Sequence, residues 1–413
     1  MILLESIKQS VINIGTLGHI DHGKTSLTRA ITGVWTDRHS ESLKRNMTIK
    51  LGYADAVIRR CANEKGSQQY CTTEKCPICK GKTEPVERIS LIDAPGHETL
   101  MATAIAGANV IDGILFVIAA NEPCPMQQTK EHLMIINILG IKNVVVIQSK
   151  VDIVGREGAI KHQQQIREFL KGSVIENAPI VPVMTNHMIN IDKVLEKIVE
   201  MPKPSRDTAA EPLMYVVRSF DVNKPGSDAT KLTGGVIGGA IFRGRFKLGD
   251  EIEIRPGIKQ PSKSGAAKTG KETYTPLITT VVKMSSGSDE LKEAMPGGLR
   301  GISTEIDPTF TKADALVGNI VGHVGKLPNS VSELSFKYHK LPRTDIPEQA
   351  LKENEPLVLG LGTSTAIGYI KRVKKDTIEV ELKRPIAYEK TLKAAVMRNI
   401  GQRWRLTGYA TFG

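Results

Sequence analysis

The feature that most constrains the fold is a loop at residues 18–25 with glycines at positions 18 and 23, which reads GHIDHGKT. It follows an apolar run at residues 11–17, and a helical pattern begins at Lys24. A G-x-x-x-x-G-K-[ST] loop between a buried strand and a helix presents inward-turned backbone N–H groups and the positive end of the helix to phosphate. The sequence therefore predicts a phosphate-binding loop on an α/β sheet.

The side chains of this loop have separate tasks. We expect the Lys24 ammonium to reach the outer phosphates of a nucleotide and the Thr25 hydroxyl to ligate Mg²⁺. The loop residues predicted to contact the nucleotide are Gly18, Asp21, His22, Gly23, Lys24, Thr25 and Ser26.

A second motif, DAPGH at residues 93–97, follows another buried strand. Asp93 can hold Mg²⁺ through water, and the Gly96 backbone N–H can meet a γ-phosphate. Thr48 is the candidate that completes the shell of the Mg²⁺ ion and the γ-phosphate. Contacts of this kind order a loop with triphosphate and release it with diphosphate, so the motifs predict a nucleotide switch.

The base-binding motif departs from the usual pattern. Ser149-Lys150-Val151-Asp152 stands where a guanine-reading N-K-x-D motif belongs. The Asp152 carboxylate can accept two hydrogen bonds from guanine that adenine cannot offer, and the Lys150 stem can stack along the base. Ser149 replaces the Asn, and one lost side-chain hydrogen bond costs ~0.5–1.5 kcal/mol. We expect guanine selectivity with weaker affinity.

The chain changes character near its middle. Up to residue 200, strand and helix patterns alternate, as in a mostly parallel, doubly wound sheet. Residues 202–212 carry three prolines and predict a linker. Short Val/Ile-rich runs separated by Gly and Pro follow, a pattern typical of β-barrels. We expect an α/β nucleotide-binding domain at residues 1–205 and two β-barrel domains at 206–326 and 327–413.

The composition of the chain indicates the kind of partner and the cellular location to expect. The formal net charge of +12 at pH 7 favours a polyanionic partner, with a solvated basic surface as the alternative. No signal-peptide pattern and no run of ~20 apolar residues is present, so we expect a cytoplasmic chain without a membrane partner.

Four of the five cysteines fall in a polar insertion at about residues 58–84. Residues 76–79 form a C-x-x-C knuckle, and four thiolates suit a closed, structural Zn²⁺ site. Because the insertion is polar, metal would have to supply its folding energy. Free thiols in a mobile insertion are the alternative. The predicted ligands are Cys61, Cys71, Cys76 and Cys79.

The phosphate and DAPGH motifs, in this order, resemble the translational GTPases, which include elongation factor Tu. Stretches between about residues 11 and 409 are similar to the gamma-subunit family of translation initiation factor 2. This resemblance implies a P-loop GTPase domain followed by two β-barrels, with GTP or GDP, Mg²⁺ and structural Zn²⁺ as cofactors. The similar stretches include KRNMTIKLGYADA, NEPCPMQQTKEHL, VRSFDVNKPG and VKKDTIEVELKRP.

The resemblance also implies roles for individual residues. His97 would orient the attacking water, with Ile20 as an apolar gate and Asp21 beside it in the catalytic group. Asn46 and Tyr53 match the family's pocket for the methionyl-adenosine end of tRNA. A backbone N–H in the segment that follows the last predicted strand would contact the guanine O6. That segment consists of Met184, Thr185 and Asn186.

The implied partners are those of an initiation complex: methionylated initiator tRNA, alpha and beta subunits in a heterotrimer, and the small ribosomal subunit. GTPase-activating and nucleotide-exchange proteins complete the set, because slow hydrolysis is expected of the chain alone.

Two alternatives remain open. One is an elongation-type carrier of tRNA, such as elongation factor Tu or the selenocysteine-specific factor, against which the cysteine insertion argues. The other is a scaffold that no longer switches, which Ser149 and residues 184–186 favour. The intact phosphate and Mg²⁺ ligands argue against a scaffold: Lys24, Thr25, Asp93 and Gly96.

Overall fold

The computed structural model describes residues 8–36, 51–94, 110–224, 226, 228, 232–260, 272–343 and 349–413. The chain forms two compact units, Met1–Ser205 and Arg206–Gly413. Within the described ranges, no helix is both long and apolar enough to cross a membrane. Four residues predicted from the motifs lie outside these ranges: Asn46, Thr48, Gly96 and His97.

The first unit contains a seven-stranded sheet in the order β3-β2-β4-β1-β5-β6-β7. From β4 to β7 the neighbouring strands are parallel, whereas β2 and β3 add an antiparallel edge. β1, β5 and β6 are buried along their whole length, as central strands of a parallel sheet are, and their sequences are mostly apolar. The strands are β1 (Ile12–Gly18), β2 (Gly52–Arg60), β3 (Tyr70–Cys71), β4 (Glu84–Asp93), β5 (Gly113–Ala119), β6 (Val144–Ser149) and β7 (Ile180–Pro182).

Four α-helices accompany this sheet in the described part of the unit. The last one shows the usual amphipathic spacing, with Ile191, Val194, Leu195 and Ile198 buried on one face. Gly155 interrupts the third helix with a non-helical backbone conformation. The helices are α1 (Lys24–Thr32), α2 (Gln127–Leu139), α3 (Val151–Leu170) and α4 (Ile191–Glu200).

The second unit begins with a barrel in which β11, β16, β8, β9, β15 and β12 pair in sequence and β12 returns to β11. Its interior holds apolar side chains such as Val216, Ile252 and Ile302. The strands are β8 (Leu213–Phe220), β9 (Val236–Arg243), β10 (Phe246–Lys247), β11 (Glu251–Lys259), β12 (Tyr274–Ser286), β13 (Asp289–Leu291), β14 (Glu293–Ala294), β15 (Leu299–Thr304) and β16 (Ile320–His323).

A second closed barrel follows, in the order β17-β20-β19-β18-β21-β22. Alternation along β19 and β20 sends every second side chain inward, among them Ile370, Ile378 and Val380. The predicted fold class, an α/β domain with two β-barrels, is confirmed. The strands are β17 (Val331–Lys340), β18 (Pro356–Leu361), β19 (Ser364–Lys374), β20 (Thr377–Ile386), β21 (Lys393–Ile400) and β22 (Arg403–Thr411).

Candidate functional site

The predicted phosphate loop joins the end of β1 to the start of α1. Gly18 has a φ of 146°, and a Cβ there would lie 2.2 Å from the Val117 carbonyl oxygen, so the position requires glycine. Gly23, with a φ of 91°, caps α1, and the first turn of that helix contains no acidic residue. The positive helix end is therefore left for an external anion.

Asp93 is a fully buried carboxylate at the end of β4, held by three hydroxyl groups. Thr16 donates to its Oδ1 at 2.9 Å, while Thr25 and Thr36 donate to its Oδ2 at 2.7 and 2.9 Å. Burial raises the pKa of Asp93, and the hydrogen bond from Thr25 and the charge of Lys24 oppose that rise. This set of hard oxygen donors fits Mg²⁺.

The Lys24 side chain is also buried, and its ammonium donates to the His19 carbonyl oxygen at 2.6 Å. Burial lowers the pKa of Lys24 to about 8, against the attraction of Asp93 and Asp21. A buried ammonium beside a loop that can receive phosphate gains most from an anionic ligand, because low polarity strengthens the attraction.

Helix α2 supports the phosphate loop from one side. The Gly18 N–H donates to His132 Nδ1 at 3.1 Å, and the Ile20 N–H donates to Gln128 Oε1 at 3.4 Å. Burial lowers the pKa of His132 to about 3, so its ring is neutral and Nδ1 remains an acceptor at neutral pH. The loop is thereby fixed before any ligand arrives.

His22 and Ser149 fix the other side of the loop. The His22 ring lies with Nδ1 3.1 Å from the Val117 carbonyl oxygen and Nε2 3.3 Å from Glu122 Oε2. The buried Ser149 hydroxyl donates to the His22 carbonyl oxygen at 2.6 Å. Because a serine hydroxyl has one proton, this bond uses the whole donor capacity of Ser149.

The predicted base-binding residues lie where β6 passes into α3. Lys150 adopts a left-handed conformation with a φ of 57°, and α3 begins at the next residue. Asp152 is exposed, and its carboxylate has no hydrogen bond within the described part of the chain. After β7, Met184 pairs with Ile189 around a 3-10 turn that contains the other two predicted residues.

The remaining predicted residues take simple positions. Ile20 is partly buried in the loop, and Asp21 is exposed with a φ of 58°. Ser26 lies in the first turn of α1. Tyr53 is partly buried on β2, opposite Ile92 of β4.

Three of the four insertion cysteines come together. The sulfurs of Cys61, Cys76 and Cys79 lie within 4.8 Å of one another, and those of Cys61 and Cys79 are 3.4 Å apart. The Cys71 thiol instead donates to the Thr73 carbonyl oxygen at 3.5 Å. Three thiolates are a donor set that fits Zn²⁺.

Several residues of the site were not predicted from the sequence. Thr16 could have been recognised from the sequence, since it places a hydroxyl group inside the mostly apolar run of β1. Thr36 and His132 could not, because tertiary packing alone brings them to Asp93 and the loop. The residues that sequence reasoning missed are Thr16, Thr36, Glu122, Gln128 and His132.

Each of the two units contains a segment that matches a known protein family. Residues 9–204 match the family model of the elongation factor Tu GTP binding domain, and residues 332–412 match that of the initiation factor eIF2 gamma C terminus. Translation initiation factor 2 subunit gamma of Methanococcus vannielii is 48% identical over 407 residues, which cover 97% of this chain and 98% of the relative. The Pyrococcus furiosus protein is 48% identical over 408 residues, 97% of either chain.

Solved structures support the fold. A bacterial selenocysteine-specific elongation factor matches 98% of this chain with a TM-score of 0.73 at 24% identity, and this chain spans 58% of its length. The elongation factor SelB of Methanococcus maripaludis, solved with a GTP analogue, matches 98% of this chain with a TM-score of 0.70 at 20% identity, over 79% of its own length.

Proposed function

The chain belongs to the gamma-subunit family of translation initiation factor 2, and from this premise we propose that it carries methionylated initiator tRNA to the small ribosomal subunit. It is a translational GTPase. GTP holds the tRNA-binding state, and hydrolysis to GDP releases it. The protein acts in the cytoplasm as a subunit of a heterotrimer with alpha and beta subunits.

The observation that carries the nucleotide part of this proposal is the buried Asp93 carboxylate beside Thr25 and Lys24. Thr25 donates to Asp93 at 2.7 Å, and the Lys24 ammonium lies at the same end of the sheet, on the His19 carbonyl oxygen. A carboxylate, a hydroxyl and a buried ammonium at a helix N-terminus are the groups that a magnesium–nucleotide complex requires.

The residues of the chain divide the work of the switch. Thr25 and Asp93 would hold Mg²⁺ together with Thr48, and when bound the ion neutralises charge on the phosphates. Lys24 and the N–H groups of the loop bind and orient the phosphates. His97 positions the attacking water, with Ile20 and Asp21 next to it, and Gly96 contacts the γ-phosphate.

The base and tRNA sites complete the proposal. Asp152 selects guanine by accepting two hydrogen bonds, Lys150 covers the base, and the backbone of residues 184–186 contacts the guanine O6. Asn46 and Tyr53 contact the methionyl-adenosine end of the tRNA, and the barrels at residues 206–326 and 327–413 form the rest of the carrier. GTPase-activating and nucleotide-exchange proteins set the pace of the cycle.

The cysteine insertion has its own place in this proposal. Cys61, Cys76 and Cys79 would hold a Zn²⁺ ion that ties the turn at residues 61–64 to the knuckle at residues 76–79. Support comes from the short distances between the three sulfurs.

The test is tRNA binding by the purified chain with the alpha subunit, in Mg²⁺ with either a non-hydrolysable GTP analogue or GDP. Deacylated initiator tRNA and aminoacylated elongator tRNA are the controls. Tight binding restricted to methionylated initiator tRNA and the GTP analogue is expected. Equal binding with either nucleotide would mean a scaffold, and preference for elongator tRNA would mean an elongation factor.

A further inference from the structure

The four cysteines of the insertion occupy two different environments. Cys61 follows β2 directly, and Cys76 and Cys79 bound the knuckle, so that three sulfurs meet at one point. Cys61 and Cys76 are almost completely buried, while Cys79 is exposed. The cluster is therefore open on the side of Cys79.

Cys71 belongs to a separate hydrogen-bonded group. Its thiol and the Thr83 hydroxyl both donate to the Thr73 carbonyl oxygen, at 3.5 and 2.7 Å. Arg59 donates to the Thr83 hydroxyl and carbonyl oxygens at 2.9 and 3.0 Å. These bonds hold Cys71 in place, and its sulfur is not part of the group that Cys61, Cys76 and Cys79 form among the described residues.

The strand pairing defines where Cys71 lies relative to Cys61. Cys71 pairs with Arg59, whereas the Cys61 N–H donates to the Gln69 carbonyl oxygen at 2.8 Å. Cys61 and Cys71 are thus diagonal neighbours in an antiparallel pair. Two sulfurs bound at ~2.3 Å to one tetrahedral zinc lie about 3.8 Å apart, and the Cys71 sulfur is not among the three in the described part of the chain that lie within 4.8 Å of one another.

The three clustered cysteines, in contrast, have the local geometry of metal-binding turns. The Asn63 side-chain amide donates to the Cys79 sulfur at 3.7 Å. The knuckle is closed by bonds from the Cys76 N–H to the Gly81 carbonyl oxygen at 2.8 Å and from the Lys80 N–H to the Cys76 carbonyl oxygen at 3.0 Å. N–H groups aimed at sulfur stabilise thiolates rather than thiols.

We infer that the metal centre of this chain is a three-thiolate site made by Cys61, Cys76 and Cys79, with Cys71 outside it and the fourth metal position open to an exchangeable ligand. This inference rests on the proposed zinc site. A divalent ion that accepts soft sulfur donors fits it, with water or a small added ligand in the fourth position. A structural zinc site, in contrast, has four protein ligands and no open position.

The first test compares single serine variants of the whole chain. Zinc per chain is measured by plasma mass spectrometry after gel filtration in zinc-free buffer with a phosphine reductant. Cys76→Ser should lower zinc affinity by more than the ~10–100-fold that loss of a mere supporting group costs. Cys71→Ser should keep its zinc and match Cys124→Ser, the control cysteine far from the insertion in sequence.

Folding of each variant is checked independently by GDP binding. The insertion remains attached to the first unit through Tyr70, which lies in the hydrophobic core, and through the bond from Ser67 to Asp192 at 2.7 Å. We therefore expect Cys76→Ser to lose zinc but to keep GDP. Loss of zinc from Cys71→Ser with GDP binding retained would overturn the three-thiolate centre.

The second test counts sulfurs and probes the open position. Cadmium-thiolate absorbance per bound Cd²⁺ should be equal in the unmodified chain and in Cys71→Ser; a drop of a quarter would mean a fourth thiolate. Imidazole should change the visible spectrum of the Co²⁺-loaded chain, and an unchanged spectrum would mean a closed site. A chain that binds none of these metals overturns the zinc proposal itself, while GTP and tRNA binding test the carrier function separately.

Discussion

The two ends of the nucleotide site are built in different ways. At the phosphate end, Asp93 and Lys24 are buried, and their polar atoms already bond to the protein. At the base end, Asp152 is exposed, and its carboxylate has no hydrogen-bond partner among the described residues. One end is assembled before the ligand arrives, and the other offers a free acceptor.

This difference separates affinity from selectivity. A preformed site loses little conformational entropy on binding, so the phosphate end should supply most of the binding free energy for any purine nucleoside triphosphate. A free carboxylate adds binding free energy for each N–H group that the base donates to it, so Asp152 should distinguish guanine from other bases. Ser149 allows a test of whether the phosphate end sets affinity and the base end sets selectivity. It belongs to the base motif, but its hydroxyl bonds to the phosphate loop.

The largest effect is expected at Lys24. Lys24→Ala should weaken GTP and GDP binding by about 30- to 5,000-fold, because removing one partner of a buried charged pair costs ~2–5 kcal/mol. Titration with a fluorescent guanine nucleotide measures this loss. Lys150→Ala at the base end is the matched control. An equal loss from both variants would contradict a preformed phosphate end.

Asp152→Asn should mainly change the selectivity of the site between GTP and XTP. Losing a hydrogen bond to a charged acceptor costs ~1.5–3 kcal/mol, so GTP affinity should fall about 10- to 150-fold. The new amide can donate to the 2-oxo group of xanthine, so XTP should gain affinity. Competition between GTP and XTP gives the ratio, and an unchanged ratio would show that Asp152 does not read the base.

The support of the phosphate loop by His132 should appear as a dependence of stability on pH. Burial holds the pKa of folded His132 at about 3, below the ~6.5 of an unfolded chain, so the unfolded state binds the extra proton between these values. Stability of the first unit should fall by up to ~1.4 kcal/mol for each pH unit as pH drops through this window.

His132→Asn provides the comparison, since its amide oxygen still accepts from Gly18 but does not titrate. Denaturant unfolding is followed by the fluorescence of Trp35 in a Trp404→Phe background. His19 and His22, whose pKa values are also lowered mainly by burial, and Asp93, whose pKa is raised, contribute to both chains and cancel in the difference. Equal slopes of unfolding free energy against pH for the two chains between pH 6.5 and 4 would show that His132 does not cause the pH dependence.

Local rules explain what could be predicted from the sequence. The loop at residues 18–25 requires glycine at positions 18 and 23 and a helix from Lys24, and the structure provides both. The mostly apolar runs become β1, β5 and β6 because those strands are buried on both faces. Two closed barrels follow from short strands between Gly and Pro turns.

Non-local pairing explains what could not be predicted. Thr16 reaches Asp93 because parallel pairing of β1 with β4 places the two residues side by side. His132 reaches Gly18 across 114 positions of sequence. Cys71 has the residue type and the segment of a ligand, but its thiol donates to the Thr73 carbonyl oxygen and its sulfur is not in the cluster. Spacing along the chain contains none of this information.

The smallest effect, and the sharpest test of the division between affinity and selectivity, is expected at Ser149. Ser149→Ala removes the bond to the His22 carbonyl oxygen, and a hydrogen bond of this kind is worth ~0.5–1.5 kcal/mol, so affinity should fall about 2- to 13-fold. Because the bond supports the phosphate loop, the loss should be the same for GTP, GDP and ITP, measured by competition titration. A loss confined to guanine nucleotides would instead place Ser149 at the base. Ser149→Asn helps to decide between a role in the phosphate loop and a role at the base. Its longer side-chain amide can bond to the His22 carbonyl oxygen and to the base at the same time only if the two ends of the site are coupled.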